Sequence, residues 1–112
     1  MKILLDTCTF LWISLAPEKI SDQAMSAFKH PANTVFLSSV TSWEIGIKFH
    51  LGKLVLPAAP EMFIPTERKE HKIDSLKLKE KDTFHLGRLP DIHKDPFDRI
   101  LICQAIENGL TL

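Results

Sequence analysis

Asp95-Pro96-Phe97-Asp98-Arg99-Ile100-Leu101-Ile102-Cys103-Gln104-Ala105-Ile106-Glu107-Asn108-Gly109 reads as a helix with both of its ends written into the sequence. Asp95 stands at the N-cap. Pro96 takes the first helical position, where its missing N–H costs nothing, and Asn108-Gly109 is the stop. Leu110-Thr111-Leu112 then begins a strand. The same alternation runs back through the chain. Met1 to Leu5 reads as a short buried strand, and Thr7 to Leu15 as a helical turn or short helix stopped by Pro17. Ser21 caps a helix from Asp22 to Lys29, and Val35 to Leu37 is a second strand. Val40 to Phe49 is a helix with Val40, Trp43 and Ile47 on one face, ended by Gly52. Leu54 to Pro65 holds Pro57, Pro60 and Pro65, so a loop with at most short turns is expected there. Thr66 to Lys72 is polar and open to a helix. Ile73 to Leu78 alternates as a third strand, Glu80 to Leu86 is a short helix ended by Gly87, and Leu89 to Lys94 is a loop. Strands alternating with helices predict an α/β fold with a parallel sheet.

Composition bounds what such a fold can do. The chain has 112 residues, so one domain spanning 1–112 is expected. It is 45% apolar and 25% charged, the balance of a globular chain, with 14 basic and 14 acidic residues. Zero net charge excludes adhesion to nucleic acid by bulk charge alone, while leaving room for a local basic patch. Cys8 and Cys103 fall in apolar helical patterns and read as buried free thiols. With no signal peptide and no apolar run of about 18 residues, secretion and membrane contact are not expected, and the expected location is cytoplasmic.

Four acids stand where strands end or helices begin: Asp6 after Ile3-Leu4-Leu5, Glu44 within Ser38-Ser39-Val40-Thr41-Ser42-Trp43-Glu44-Ile45, and Asp95 and Asp98 around Pro96-Phe97. In a parallel α/β fold those positions converge on one edge of the sheet. Carboxylates about 4 Å apart repel by roughly 1–4 kcal/mol, and a hard divalent cation with oxygen ligands relieves that repulsion. Each acid also has a plainer reading. Asp6 suits a turn or cap. Thr41-Ser42-Trp43-Glu44 fits a capping box, and Asp95 with Asp98 fits a capped helix start that complements the helix dipole. Only the ligand reading requires all of these positions to share one sheet edge.

The remaining residues say less. His93 lies two residues before Asp95, in reach of substrate or simply on a solvated loop. His30, His50, His71 and His85 read as surface residues, and Trp12 and Trp43 as core. Lys48, Lys53, Arg68, Lys69 and Lys72 form either an RNA-facing surface or a solvated face. The four glycines, at 46, 52, 87 and 109, build neither a phosphate loop nor a dinucleotide fingerprint, and no Gly-x-Ser-x-Gly elbow occurs. A receiver-like phosphorylation site would need an Asp ending the third strand and a Lys ending a fifth. Asp74 lies inside the third strand pattern, and no fifth strand is present.

Together these blocks resemble the PIN-domain ribonucleases, specifically VapC-like toxins of type II toxin–antitoxin systems. The resemblance rests on Leu4-Leu5-Asp6-Thr7, Ser38 to Ile45, Gly52-Lys53-Leu54, and His93-Lys94-Asp95-Pro96-Phe97-Asp98-Arg99 running into Leu101-Ile102-Cys103-Gln104-Ala105. It implies a PIN-like α/β/α sandwich with a central parallel sheet. It also implies a metal-dependent endoribonuclease acting on tRNA or another structured RNA, with Mg²⁺ or Mn²⁺ as cofactor. Carried over position by position, Asp6, Asp98 and Glu44 are the implied metal ligands, and Asp95 is an accessory catalytic acid. A VapB-type antitoxin and a homodimer are the implied partners.

The family pattern continues beyond the position of Leu110-Thr111-Leu112 into a Thr-x-Asp or Thr-x-Asn stretch and a final strand. Against that pattern the expectation is a domain incomplete at its C-terminus, with its last strand or strands and a fourth polar site group missing. The alternative function is a catalytically weak or inactive truncated PIN domain that acts only by binding antitoxin or RNA.

Overall fold

The computed structural model describes residues 1–90 and 95–112. Three short strands, β1 (Lys2–Leu4), β2 (Thr34–Ser38) and β3 (Ile73–Leu76), form a parallel sheet in the order β1-β2-β3. Helices α1 (Thr7–Leu15) and α2 (Asp22–Lys29) connect β1 to β2. Helices α3 (Ser39–His50) and α4 (Pro60–Glu70) connect β2 to β3. After β3 come a single turn, α5 (Glu80–Thr83), and the long α6 (Pro96–Asn108). Thr111 then makes a parallel bridge to Ile3, donating to the Lys2 carbonyl and accepting from the Leu4 N–H. This brings the chain back to the flank of β1 that faces away from β2.

Alternation along the strands divides the interior in two. Ile3, Leu5, Val35, Leu37 and Ile73 face one side, where Phe10, Ile13, Ile45, Phe63 and Ile64 of the connecting helices cover them. Leu4, Phe36 and Leu76 face the other side and pack on Leu101 and Ala105 of α6, with Phe97, Ile100 and Leu110 around them. Successive strand residues point to opposite faces, so a sheet apolar on both needs a helical layer on each. The result is an α/β/α sandwich around a parallel sheet.

Several local expectations need correction. The stretch with Pro57, Pro60 and Pro65 is not a loop throughout, because α4 begins at Pro60 and carries Pro65 inside it. Pro60 occupies the first turn, where no N–H is needed, and Pro65 forfeits a single intrahelical bond. Burial of Phe63 and Ile64 outweighs that loss. Helix α3 starts at Ser39 with Ser38 as its cap, the Ser38 hydroxyl accepting from the Val40 N–H. The Thr41-to-Glu44 capping box therefore does not form. Strand β3 is shorter than expected, and the following helical turn stops at Thr83, with a separate 3₁₀ turn over Leu86–Arg88. Trp12 and Trp43 are not core residues, Trp43 being 63% exposed, and Cys8 is exposed while Cys103 is buried. The helix over Pro96–Asn108 forms as read, capped by Asp95 and ended by Gly109, whose φ of 65° favours a residue without a Cβ.

Candidate active site

The elements that carry the four acids end at one edge of the sheet. Strand β1 leads into Asp6, which caps α1 by accepting from the Thr9 N–H at 2.7 Å. Strand β2 runs straight into α3, so Glu44 lies on the second turn of a helix whose N-terminus adjoins the same edge. Asp95 caps α6 by accepting from the Phe97 N–H at 2.9 Å, and Asp98 lies in that helix's first turn. The capping roles of Asp6 and Asp95 are therefore present in the structure. Glu44 caps nothing, and it is the acid whose placement calls for another account.

Glu44 is 4% exposed, and both of its carboxylate oxygens are engaged. The Thr7 hydroxyl donates to Oε1 at 2.7 Å, and the Thr41 hydroxyl lies 3.3 Å from the same Thr7 oxygen. The Lys48 ammonium donates to Oε2 at 2.5 Å. Thr7 follows Asp6 directly, so the first bond ties the end of β1 to α3. Glu44 also holds the Lys48 pKa above its ordinary value of 10.5; partial burial opposes the shift, and the charges of Asp95 and Asp98 on α6 reinforce it. Lys48 is thus the ammonium toward which acids of α3 and α6 both turn their charge.

Thr7, Thr41 and Lys48 were not singled out as site residues from sequence alone. The signal was spacing: Thr41, Glu44 and Lys48 fall at i, i+3 and i+7, on one helix face. Lys48, read as either RNA-facing or solvated, is half-exposed and also paired with Glu44. Beside it, the Trp43 and Phe97 rings meet edge to face at 5.3 Å between centroids, joining α3 to α6. Ile47 and Leu51 continue an apolar surface along α3 past Gly46. His93 lies outside the described residues.

The donor chemistry suits a hard divalent cation, being carboxylate and hydroxyl oxygen throughout. Among the described residues, no three or more His, Cys, Asp or Glu side chains are gathered closely enough to hold a metal ion.

A second polar cluster stands on the α6 side. The Ser38 hydroxyl donates to Gln104 Oε1, and the Gln104 amide donates to the Lys77 carbonyl at 3.4 Å. Asn108 Nδ2 bonds the Gln104 carbonyl at 2.8 Å and the Asp82 carboxylate at 3.1 Å. Asp82 is fully buried and also accepts from the Lys79 N–H at 2.8 Å. These bonds tie β2, α5 and α6 together. Cys103 lies buried beside them, and burial pushes its thiol pKa up, which keeps it protonated and unreactive.

The fold is an α/β/α domain around a parallel sheet, with Asp6 following β1, Glu44 on α3, and Asp95 and Asp98 at the start of α6. The PIN domain family model matches residues 3–112, and the chain belongs to that family. PIN domains are typically metal-dependent nucleases, and those nucleases bind RNA. No curated protein and no solved structure matches the chain. Among the described residues no helix is long and apolar enough to cross a membrane.

Proposed function

We propose that this PIN domain is a VapC-like endoribonuclease that cleaves tRNA or another structured RNA with the help of Mg²⁺ or Mn²⁺. The observation that carries this reading is the buried Glu44. It is held by Thr7 at the end of the β1 segment and by Lys48, and Lys48 feels the charges of Asp95 and Asp98 across from α6. A carboxylate kept out of water costs several kcal/mol, and here it caps no helix.

Asp6, Glu44 and Asp98 would hold the metal, with Asp95 as accessory. Bound there, the ion would activate a water and offset charge on the phosphate oxygens. The protein's own contribution is positioning. Thr7 orients one Glu44 oxygen, the α1 N-terminus holds Asp6 in place through Thr9, and the rigid start of α6 fixes Asp95 and Asp98. The exposed apolar surface of Trp43, Ile47 and Leu51 supports a protein partner on α3, consistent with a homodimer or a VapB-type antitoxin in the cytoplasm. One observation favours a second reading: the Glu44–Lys48 pair occupies a carboxylate that a metal would need. A domain fixed in that state would be a weak or inactive nuclease acting through antitoxin or RNA binding.

Incubating the purified chain with total tRNA in Mg²⁺, in Mn²⁺ and in EDTA tests the proposal. Cleavage in either metal that stops in EDTA is the expected result. Cleavage that persists in EDTA overturns the metal role, and no cleavage in any condition supports the second reading.

A further inference from the structure

We propose that Lys48 is a built-in counter-cation of the acidic edge, a positioning residue that must release Glu44 before a divalent metal ion binds. The inference rests on the metal-dependent reading above and goes on to name what regulates that site.

A Glu–Lys pair at i and i+4 is ordinarily a feature of an exposed helix face, worth a few tenths of a kcal/mol. This pair differs in three respects. Its carboxylate is buried, while its lysine side chain is 46% exposed. The Glu44 oxygen that Lys48 does not hold accepts from Thr7, so each oxygen already has a donor. The charges of Asp95 and Asp98 at the α6 N-terminus further favour the charged form of the same ammonium, to a smaller extent than Glu44. Lys48 therefore plays the electrostatic part of a cation at this edge.

The asymmetry of burial makes the pair reversible. The lysine can swing its ammonium into water and leave no donor unsatisfied, whereas Glu44 cannot follow it. A dication that takes a Glu44 oxygen must displace the ammonium and then sit near it. Like charges that close weaken metal binding by roughly tenfold, the scale set by one ammonium about 5–6 Å from a dication in a water-like dielectric. The pair thus serves as a threshold: with the metal scarce, the acids remain neutralised and the site stays closed.

The test is Mn²⁺ binding to the RNA-free protein, followed by the loss of the free-ion EPR signal. The proteins compared are the wild type, Lys48→Met, Lys48→Arg, Glu44→Gln and Asp98→Asn, with folding checked by circular dichroism. Lys48→Met is expected to bind Mn²⁺ about tenfold more tightly than wild type. Lys48→Arg, which keeps the charge, should stay close to wild type. If the methionine variant unfolds, Lys48→Gln repeats the comparison, retaining a donor without the charge. Unchanged or weaker Mn²⁺ binding in the uncharged variants overturns the proposal, including the case in which they merely melt earlier. The parent reading fails by a different signature: no Mn²⁺ binding in wild type, or binding that survives both Glu44→Gln and Asp98→Asn.

Discussion

Among the described residues two carboxylates are buried, and they are held in opposite ways. Asp82 accepts from the backbone N–H of Lys79 at the start of α5 and from the Asn108 amide at the end of α6, both neutral donors. Glu44 accepts from a threonine hydroxyl and from the ammonium of a half-exposed lysine. Burial is similar, at 0% and 4% exposure, so burial alone does not separate a structural acid from a chemical one. The partners do. The Asp82 network closes on itself, through Asn108 and Gln104 to Ser38, and stitches α5 and α6 to the end of β2. The Glu44 contacts end in a side chain that solvent can take over, at a sheet edge shared with Asp6, Asp95 and Asp98. A carboxylate satisfied by rigid neutral donors stabilises a fold. One satisfied by a removable cation is available for exchange.

The largest expected effect lies on the Glu44 side of that comparison. Asp98→Asn keeps volume and removes charge, so RNA cleavage should fall by about 100-fold, the scale of losing one charged group at a reacting centre, while the far-UV spectrum stays the same. Asp95→Asn should lose far less activity, because its visible role is the Phe97 cap. Equal losses in both variants would place Asp95 on a level with Asp98.

Next in size is the stability cost at Asp82. Asp82→Ala strips two partly buried donors of their acceptor and should destabilise the domain by about 2–3 kcal/mol. That is a drop of about 10 °C in Tm for a chain of this size, without loss of Mn²⁺ affinity. Glu44→Gln should do the reverse: it costs under about 1 kcal/mol, because Lys48 turns into water, yet it removes Mn²⁺ binding. If Glu44→Gln proves the more destabilising of the two in denaturant unfolding, the distinction between the networks collapses.

The smallest expected effect is in pH. The folded state raises the Lys48 pKa, so the pair's contribution is fully present below the unfolded value of 10.5 and is lost only as pH rises through the higher folded value. The stability difference between wild type and Lys48→Met should therefore be flat from about pH 6 to 9 and shrink only in strong alkali. A break near neutrality would mean that another group controls the pair.

How much of this was legible in the sequence depended on how local the signal was. Helix α6 was readable at both ends, because Asp95, Pro96 and Gly109 act through their own backbone geometry. The parallel sheet followed from alternation, and the position of Thr111 beside Ile3 agrees with that reading. Helix α4 was hidden because Pro60 and Pro65 read as breakers, and only the burial of Phe63 and Ile64 against the sheet shows why a helix survives there. The start of α3 was misjudged because Ser38 and Thr41 are equally good caps by residue type, and the end of β2 chooses between them. Trp43 read as core because Val40 and Ile47 share its helical face, yet Val40 is buried while Trp43 projects to the surface. Gln104 stands as a polar residue among Leu101, Ile102, Cys103 and Ala105. The bond from Ser38, 66 residues away in sequence, cannot be seen without the fold. At the site, the acids were legible by type and position. Of the partners of Glu44, Thr7 was not, because its bond needs α1 to meet α3, whereas Lys48 stands four residues on along the same helix.

The most direct test of the account is a crystal of the protein grown or soaked in Mn²⁺ and measured at the manganese absorption edge. The account predicts one anomalous peak about 2.1 Å from carboxylate oxygens of Asp6, Glu44 and Asp98, with the Lys48 ammonium swung away from Glu44. A saturated crystal with no peak at that edge, and with Lys48 still bonded to Glu44, would contradict it.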